Sequence, residues 1–184
     1  MPSQVFAQGL LDGQVVVVTG GGSGLGRATA VELAACGAQV VIAGRRQEPL
    51  DETASMCEGG RCEGFVCDIR EEDQVEAFVD RVLSSHGRID TLVNNAGGQY
   101  MTPAEDISPK GFDTVQRLNV RGTWLMTHAV ATKSMIPGER SRPSNTSRPR
   151  DVLASQISVA CANDGAAART ARAMRLDRVM SGSF

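Results

Sequence analysis

The stretch VVVVTGGGSGLGRA, residues 15–28, decides the fold of this chain. It opens with four valines and a threonine, a continuous apolar run that is typical of a parallel strand buried on both faces. Gly20, Gly24 and Gly26 follow, together with small residues that favour a helix. A glycine-rich loop between a buried strand and a helix N-terminus lets a ligand approach the backbone closely, and so favours binding of a phosphate group.

Strand and helix signals alternate along the first 138 residues. Apolar runs of strand length recur at 38–46, 63–69 and 88–97, and helical patterns cover 25–35, 48–56, 71–85 and 112–136. This alternation predicts an α/β fold, a Rossmann-type doubly wound parallel sheet with right-handed crossovers. The sheet is expected to be incomplete, with about four strands in the order 3-2-1-4, so that the fourth strand lies at an edge without a neighbour.

The composition limits the class of protein. A hydrophobic fraction of 41% with only 4% aromatic residues is typical of a soluble α/β domain. No apolar run approaches the roughly 20 residues that span a bilayer, and no leader pattern is present, so we expect a cytoplasmic protein without membrane contact. The five cysteines contain no CxxC pair, and we expect inert thiols rather than a metal site or a disulfide. His86 and His128 are expected on helix surfaces.

The chain changes character after residue 138. Residues 1–138 carry 11 basic and 17 acidic side chains, a net charge of −6, whereas 139–184 carry 8 arginines and 4 acidic residues, a net charge of +4. ERSRPSNTSRPR (139–150) indicates a disordered linker, 151–164 offers one short apolar element, and 164–180 favours a helix. The tail is therefore expected to be irregular or partly helical. Its arginines are interpreted as solvated, and no nucleic-acid partner is expected.

Two motifs together resemble the short-chain dehydrogenase/reductase superfamily. The first is Thr19-Gly20-x-x-x-Gly24-x-Gly26, and the second is Asn94-Asn95-Ala96-Gly97 after the fourth strand. The resemblance covers about residues 10–138, roughly the first half of a usual family member. The stretch 94–124 is similar to the branch that contains trans-2-enoyl-CoA reductases and bacterial proteins of the citronellol/citronellal dehydrogenase type.

The resemblance implies an oxidoreductase that transfers hydride between a nicotinamide cofactor and an alcohol, carbonyl or enoyl-CoA substrate. Residues 1–138 would be its dinucleotide-binding domain, with 139–184 an atypical arginine-rich tail. The substrate is a small molecule that the sequence does not identify. Full-length relatives form dimers and tetramers through the helix that spans 112–136 here, which implies a homo-oligomer.

The identity of the cofactor is predicted from residues at the ends of the strands. The resemblance implies that Asn94 to Gly97 steady the sheet and border the cofactor, and that Asp68 meets the adenine. Arg45 and Arg46 follow strand two, where a carboxylate would select NAD(H), so NADP(H) is favoured over NAD(H), with a solvated arginine pair as the alternative. The candidate cofactor-binding residues are Thr19, Gly20, Gly22, Ser23, Gly24, Leu25, Gly26, Arg45, Arg46, Asp68, Ile69, Asn95, Ala96 and Gly97.

The catalytic residues that the resemblance implies are only partly present. The family couples hydride transfer to a tyrosine, to a lysine four residues later and to a nearby serine, but the one tyrosine is Tyr100 and no lysine follows Lys133. Asn119 matches the helix asparagine that holds a water in the family's proton relay, and a polar residue at a helix kink is the alternative interpretation.

Without Tyr-x-x-x-Lys, we expect impaired activity. The abrupt change near Glu139 suggests that the catalytic half is missing or replaced, by a shifted reading frame or an alternative terminus. A non-catalytic nucleotide-binding protein and a truncated, non-functional product are the alternatives.

Overall fold

The described part of the chain alternates strands and helices. The structure is a computed structural model that describes residues 3, 5–99, 101–135 and 158–159. Its strands are β1 Val15–Thr19, β2 Gln39–Gly44, β3 Cys62–Val66, β4 Thr91–Asn94 and β5 Ser158–Val159. Its α-helices are α1 Gly24–Ala35, α2 Gln47–Met56, α3 Glu72–His86, α4 Pro109–Gln116 and α5 Thr123–Val130. Wider π-type turns continue the last two helices at Arg117–Gly122 and Ala131–Met135, and short 3₁₀ turns lie at Glu58–Gly60 and Ala104–Asp106.

The strands form one parallel sheet in the order β3-β2-β1-β4-β5. β1 lies at the centre, where Val17 pairs with Val41 of β2 on one side and with Leu92 of β4 on the other. Because the strands are parallel, all of their carboxyl ends meet at one edge of the sheet. The predicted doubly wound α/β fold and the predicted order of the first four strands are confirmed.

The expectation that β4 lacks a neighbour is wrong. Val93 pairs with Ser158 and Asn94 with Val159, so β5 covers the carboxyl end of β4. An unpaired strand edge exposes backbone N–H and C=O groups, and the short apolar element within 151–164 satisfies some of them. The predicted linker at 139–150 and the predicted helix at 164–180 lie outside the described residues.

Two hydrophobic clusters cover the two faces of the sheet. Val15 and Val17 face α3 and α5, while Val16 and Val18 face α1 and α2. All four valines are at most 6% exposed, because a central parallel strand is covered on both faces. Burial on both sides is what makes β1 a continuous apolar run in the sequence.

Capping residues set the ends of two helices. α4 begins at Pro109, three residues before the predicted start at Phe112, because Ser108 Oγ accepts the N–H of Gly111 at 3.1 Å and proline suits the first helical position. α3 ends as predicted at Gly87, whose φ of 75° suits glycine and whose N–H donates to the carbonyl of Leu83 at 2.8 Å.

The two histidines lie on helices but differ in their surroundings. His128 is exposed and stacks on Trp124 with ring centroids 5.0 Å apart. His86 is half-buried and pairs with Glu63 of β3, so it is not simply a surface residue. No helix within the described ranges is long and apolar enough to cross a membrane.

Candidate functional site

A cleft of about 250 Å³ opens at the carboxyl ends of the first four strands. It is lined by the glycine loop, by the segments that follow β2, β3 and β4, and by Pro49, Leu50 and Leu118. All of the candidate cofactor-binding residues line it except Thr19 and Gly26. The cleft lies where the chain leaves β1 for a helix on one face and β4 for a helix on the other, the position at which open α/β sheets bind ligands.

Glycine is required where the loop turns into α1. A Cβ at Gly26 would lie 2.2 Å from the carbonyl oxygen of Gly20 and 2.4 Å from Nδ2 of Asn95, so no side chain fits there. Gly24 has a φ of 53°, and a Cβ on it would meet nothing within 4 Å. Ser23 precedes α1 without forming a side-chain cap, so no side-chain acceptor from the described residues occupies the helix N-terminus. Its N–H groups suit an anionic ligand.

Arg27 and Thr53 bind the backbone of the glycine loop, and neither residue was predicted from the sequence. Arg27 Nη2 donates to the carbonyl of Gly22 at 2.6 Å, and its Nε donates to Thr53 Oγ1 at 3.1 Å. Thr53 is fully buried on α2, and its hydroxyl donates to the carbonyl of Gly21 at 3.0 Å. These contacts engage the carbonyls of Gly21 and Gly22 from α1 and α2. A threonine among the charged residues of α2 was the signal available in the sequence.

Thr19 and Asn95 join the ends of β1 and β4 beneath the cleft. Thr19 Oγ1 accepts the N–H groups of Asn95 and Ala96, both at 3.0 Å, and donates to the carbonyl of Val93 at 3.4 Å. Asn95 Nδ2 donates to the carbonyls of Thr19 at 3.0 Å and Gly20 at 3.3 Å. Thr19 thus positions the residues that line the cleft.

Asn119 fixes the loop that follows β4. Its Oδ1 accepts the N–H of Gly98 at 3.0 Å, and its Nδ2 donates to the carbonyl of the same residue at 2.8 Å. Asn119 lies in the wide turn Arg117–Gly122, and both of its polar side-chain atoms bind one residue. Its role in a water relay stays a prediction. Tyr100, the only tyrosine, lies outside the described residues.

The same wide turn also holds the loop that follows β3. Arg117 Nη2 pairs with Glu71 Oε1 at 2.7 Å, and Arg121 Nη1 donates to the carbonyl of Arg70 at 2.7 Å. A Cβ on Gly122 would lie 2.9 Å from the side chain of Ile69, so the turn packs closely on this loop. One helical turn therefore braces two segments that line the cleft.

Charges cluster where β2 and β3 end. Arg45 and Arg46 are exposed, and within the described part of the chain neither guanidinium forms a hydrogen bond or an ion pair. Asp68 binds Arg70, and this hydrogen bond, with the charge of Arg45 adding to it, holds the pKa of the Asp68 carboxyl below its ordinary value. A carboxylate and free guanidinium groups thus lie at one end of the cleft.

The four cysteines within the described residues offer no nucleophile to the cleft. Burial, together with the charge of Asp68, raises the pKa of Cys67 to about 12, so its thiol stays protonated at neutral pH. Cys36, Cys57 and Cys62 are also buried and free, and Cys161 lies outside the described residues. Among the described residues, no group of three or more potential ligands is arranged to hold a metal ion.

The family follows from comparison with known sequences. The model of the short chain dehydrogenase family matches residues 14–144. The chain belongs to this family. The resemblance drawn from the glycine loop and from Asn94 to Gly97 is therefore confirmed.

Solved structures of short-chain dehydrogenases share the fold of this chain. The citronellol catabolism dehydrogenase of Pseudomonas aeruginosa PAO1 is 48% identical, with a TM-score of 0.68 over 73% of this chain and 56% of that chain. A metagenomic short-chain oxidoreductase in complex with NADP is 39% identical, with a TM-score of 0.62 over 66% of this chain and 56% of that chain. These similarities support membership of the predicted branch.

The curated relatives are longer than this chain. The peroxisomal 2,4-dienoyl-CoA reductase of Arabidopsis thaliana is 36% identical over 143 residues, which are 77% of this chain and 48% of the relative. A carboxyl-CoA reductase of Mycobacterium tuberculosis is 40% identical over 132 residues, 70% of this chain and 50% of the relative. The chain spans about half the length of these two relatives.

Proposed function

We propose that this short-chain dehydrogenase chain binds NADP(H) in the cleft, with NAD(H) as the weaker ligand. The observation that carries the proposal is the pairing of a glycine-lined helix N-terminus with two unpaired arginines along one cleft. In this arrangement the pyrophosphate binds at the N-terminus of α1. The adenine lies near Asp68 and Ile69, and the 2′-phosphate binds Arg45 and Arg46.

The glycines fit such a ligand. A Cβ at Gly20 would lie 2.9 Å from Nδ2 of Asn95, and one at Gly22 would lie 3.0 Å from Cβ of Pro49. Larger residues at these two positions would crowd the loop from behind, whereas the open space beside Gly24 is left for the ligand. The loop therefore leaves its backbone bare at the place where a pyrophosphate must approach it.

The dinucleotide, when bound, supplies hydride exchange with an alcohol, a carbonyl or an enoyl-CoA. The chain's own residues bind and orient it: Ala96 and Gly97 line the cleft, and Asn119 fixes Gly98 beside them. The names of two relatives, which refer to dienoyl-CoA and citronellol, support this proposed substrate class. We infer slow turnover, since no Tyr-x-x-x-Lys occurs in the 184 residues. Binding without catalysis is the second candidate function, and the same missing motif favours it.

We also propose that copies of the chain associate through the segment 109–135. Phe112, Val120 and Trp124 lie along this segment and are 56%, 59% and 58% exposed. Large apolar side chains grouped on one helical segment are typical of a protein–protein contact. Sedimentation velocity of the wild-type chain and of Trp124→Glu tests this, since the variant should shift the chain towards monomer.

Calorimetric titration of the full chain with NADPH and then NADH tests the proposed function. Circular dichroism first establishes that the protein is folded. We expect saturable binding with NADPH about tenfold tighter or more, because a guanidinium–phosphate contact is charge-assisted. In the double variant R45Q/R46Q, NADPH should fall to the affinity of NADH, while NADH itself should change little. A folded chain that binds neither cofactor would contradict the proposal.

A slow-turnover assay separates the two candidate functions. Oxidation of NADPH is followed with an enoyl-CoA and with citronellal, at protein concentrations high enough to detect a few turnovers. Slow oxidation that depends on the substrate supports an impaired oxidoreductase. Tight binding of NADPH without any oxidation supports a non-catalytic nucleotide-binding protein.

A further inference from the structure

The loop after β3 pairs a carboxylate that lines the cleft with an arginine that does not. Arg70 Nε donates to Asp68 Oδ1 at 2.9 Å and to Oδ2 at 3.1 Å, and its Nη2 also binds Oδ2. The backbone N–H of Arg70 donates to Oδ1 at 3.1 Å. Both carboxylate oxygens are therefore engaged by one residue. The two side chains are only 16% and 29% exposed, so water screens the pair less than it screens a surface pair.

Asp68 lies close to the arginines that follow β2. Gly44, the last residue of β2, pairs with Val66, the last residue of β3, so the residues that follow both strands meet at one edge. Arg45, Arg46 and Asp68 all line the same cleft. A phosphate bound at Arg45 and Arg46 would bring a charge of about −1.5 to −2 into this region. A bare carboxylate at residue 68 would repel it.

The Asp68–Arg70 pair is fixed by its surroundings. Gln74 Oε1 accepts the N–H of Asp68 at 2.9 Å, which holds the start of the loop. Arg121 donates to the carbonyl of Arg70 at 2.7 Å from the wide turn that follows α4. The guanidinium of Arg70 is thus held on the carboxylate without any ligand, and little ordering is required when a ligand binds.

We propose that Arg70 is a positioning residue that makes the cleft selective for NADP(H), by neutralising Asp68 rather than by touching the cofactor. This rests on the proposed function, in which the cleft holds a dinucleotide with its 2′-phosphate at Arg45 and Arg46. Three N–H groups of Arg70 bind the Asp68 carboxylate, and a carboxylate has about four acceptor sites, so one site is left for an adenine amino group. Arg70 removes its net charge without removing its ability to accept hydrogen bonds.

The test is a double-mutant cycle on the full chain with NADPH and NADH as the two probes. Dissociation constants are measured by calorimetry for the wild type, R70Q, R70K, D68N and D68N/R70Q. The readout is the affinity ratio of NADPH to NADH, because losses that affect both cofactors equally cancel in it. Thermal unfolding of each variant establishes that it is folded.

We expect R70Q to lower the NADPH-to-NADH affinity ratio roughly tenfold, since it leaves Asp68 as an unpaired negative charge. R70K retains the positive charge, so its NADPH-to-NADH affinity ratio should stay close to that of the wild type. D68N alone should raise the ratio, because it releases the positive charge of Arg70. Adding R70Q to D68N should then return the ratio to about the wild-type value, since the double variant again has no net charge at the pair.

Arg88→Gln is the matched control. Arg88 pairs with Asp90 with the same two-residue separation, but it lies before β4, at the amino edge of the sheet and away from the cleft. This variant should leave the NADPH-to-NADH affinity ratio unchanged.

Two results would overturn the inference while the proposed function stands. One is that R70Q weakens the binding of both cofactors equally, and the other is that R70K lowers the affinity ratio as much as R70Q does. If D68N lowers the ratio, the inference is overturned even where R70Q does not fold. If the folded wild type binds neither cofactor, the proposed function fails and the inference fails with it.

Discussion

The strands of the parallel sheet all begin along one side, the amino edge, and all end along the opposite side, the carboxyl edge. The polar groups at these two edges bind different partners. At the amino edge, Asp90 Oδ2 accepts the N–H of Val15 at 2.8 Å while Oδ1 pairs with Arg88. Ser134 Oγ accepts the N–H of Ile89 at 2.8 Å, and Arg61 donates to the carbonyl of Gly37 at 2.6 Å. Side chains at this edge thus satisfy the backbone of the fold itself.

The carboxyl edge leaves polar groups available to a ligand. Arg45 and Arg46 have no hydrogen-bond or ion-pair partner within the described residues, and Ser23 does not cap α1. An Arg–Asp pair with two-residue separation occurs at both edges, yet only Asp68 lines the cleft. The chemistry of an arginine–aspartate pair therefore does not show whether the pair can affect a ligand in the cleft. Its position at the amino or the carboxyl ends of the strands does.

The largest expected effect is at Gly26, beneath the carboxyl edge. Gly26→Ala places a Cβ 2.2 Å from the carbonyl oxygen of Gly20, so the backbone must move. We expect the free energy of unfolding to fall by about 3 kcal/mol and NADPH binding to be lost. Urea unfolding followed by circular dichroism measures the first, and calorimetry the second.

Gly13→Ala is the matched variant at the amino edge. Gly13 has a φ of 76°, but a Cβ there meets nothing within 4 Å, so the cost should be only about 1 kcal/mol, and binding should be unaffected. Equal losses for the two variants would contradict this account of the loop.

The next largest effect is expected from a substitution at Thr19. Thr19→Val keeps the shape of the side chain but leaves the N–H groups of Asn95 and Ala96 without their acceptor. We therefore expect the free energy of unfolding to fall by about 2 kcal/mol and NADPH to bind more weakly. Ser134→Ala removes the acceptor of the Ile89 N–H at the amino edge and should cost about 1 kcal/mol without changing NADPH binding. If Ser134→Ala weakened NADPH binding as much as Thr19→Val, the difference between the edges would not hold.

The pH dependence of stability is a smaller effect. Because the hydrogen bond from Arg70 lowers the pKa of folded Asp68, the pair stabilises the fold above the ordinary aspartate pKa of about 3.9. That contribution is lost as the pH falls through the lowered pKa. Asp68→Asn should therefore be less stable than the wild type at neutral pH, with the gap closing below about pH 4. Urea midpoints measured across this range test the prediction, and a gap that stayed constant would refute it.

The last prediction concerns the reactivity of the Cys67 thiol rather than stability or binding. With a pKa of about 12, roughly one thiol in ten thousand is ionised at pH 8, so iodoacetamide should label Cys67 in the folded chain far more slowly than a free thiol. The labelling rate at Cys67, followed by peptide mass spectrometry, should rise about tenfold for each pH unit. Labelling as fast as that of a free thiol would show that the cleft wall opens.

Local signals in the sequence were sufficient for the centre of the fold. The valine run, the glycines and the small residues after them predict β1, the loop and α1, because each is decided by neighbours in the chain. The resemblance predicts that Asn95 borders the cofactor and that Asp68 meets the adenine, and both residues line the cleft.

Contacts between distant residues could not be predicted in this way. Arg27 meets Thr53 across two helices, and Arg121 reaches the carbonyl of Arg70 across 51 positions. Neither pairing leaves a periodic or spacing signal, since each depends on how closely the helices pack. β5 was missed as a strand because two residues are too few to show an alternation.

Hydrogen–deuterium exchange of the full chain with and without NADPH shows at which of the two edges the cofactor binds. We predict that NADPH slows exchange in the glycine loop 20–26, at 44–46 and at 95–98, and leaves the amino-edge segments 11–14, 36–38 and 88–90 unchanged. Protection at the amino edge, or no protection in a folded chain at a saturating concentration of NADPH, would contradict the account.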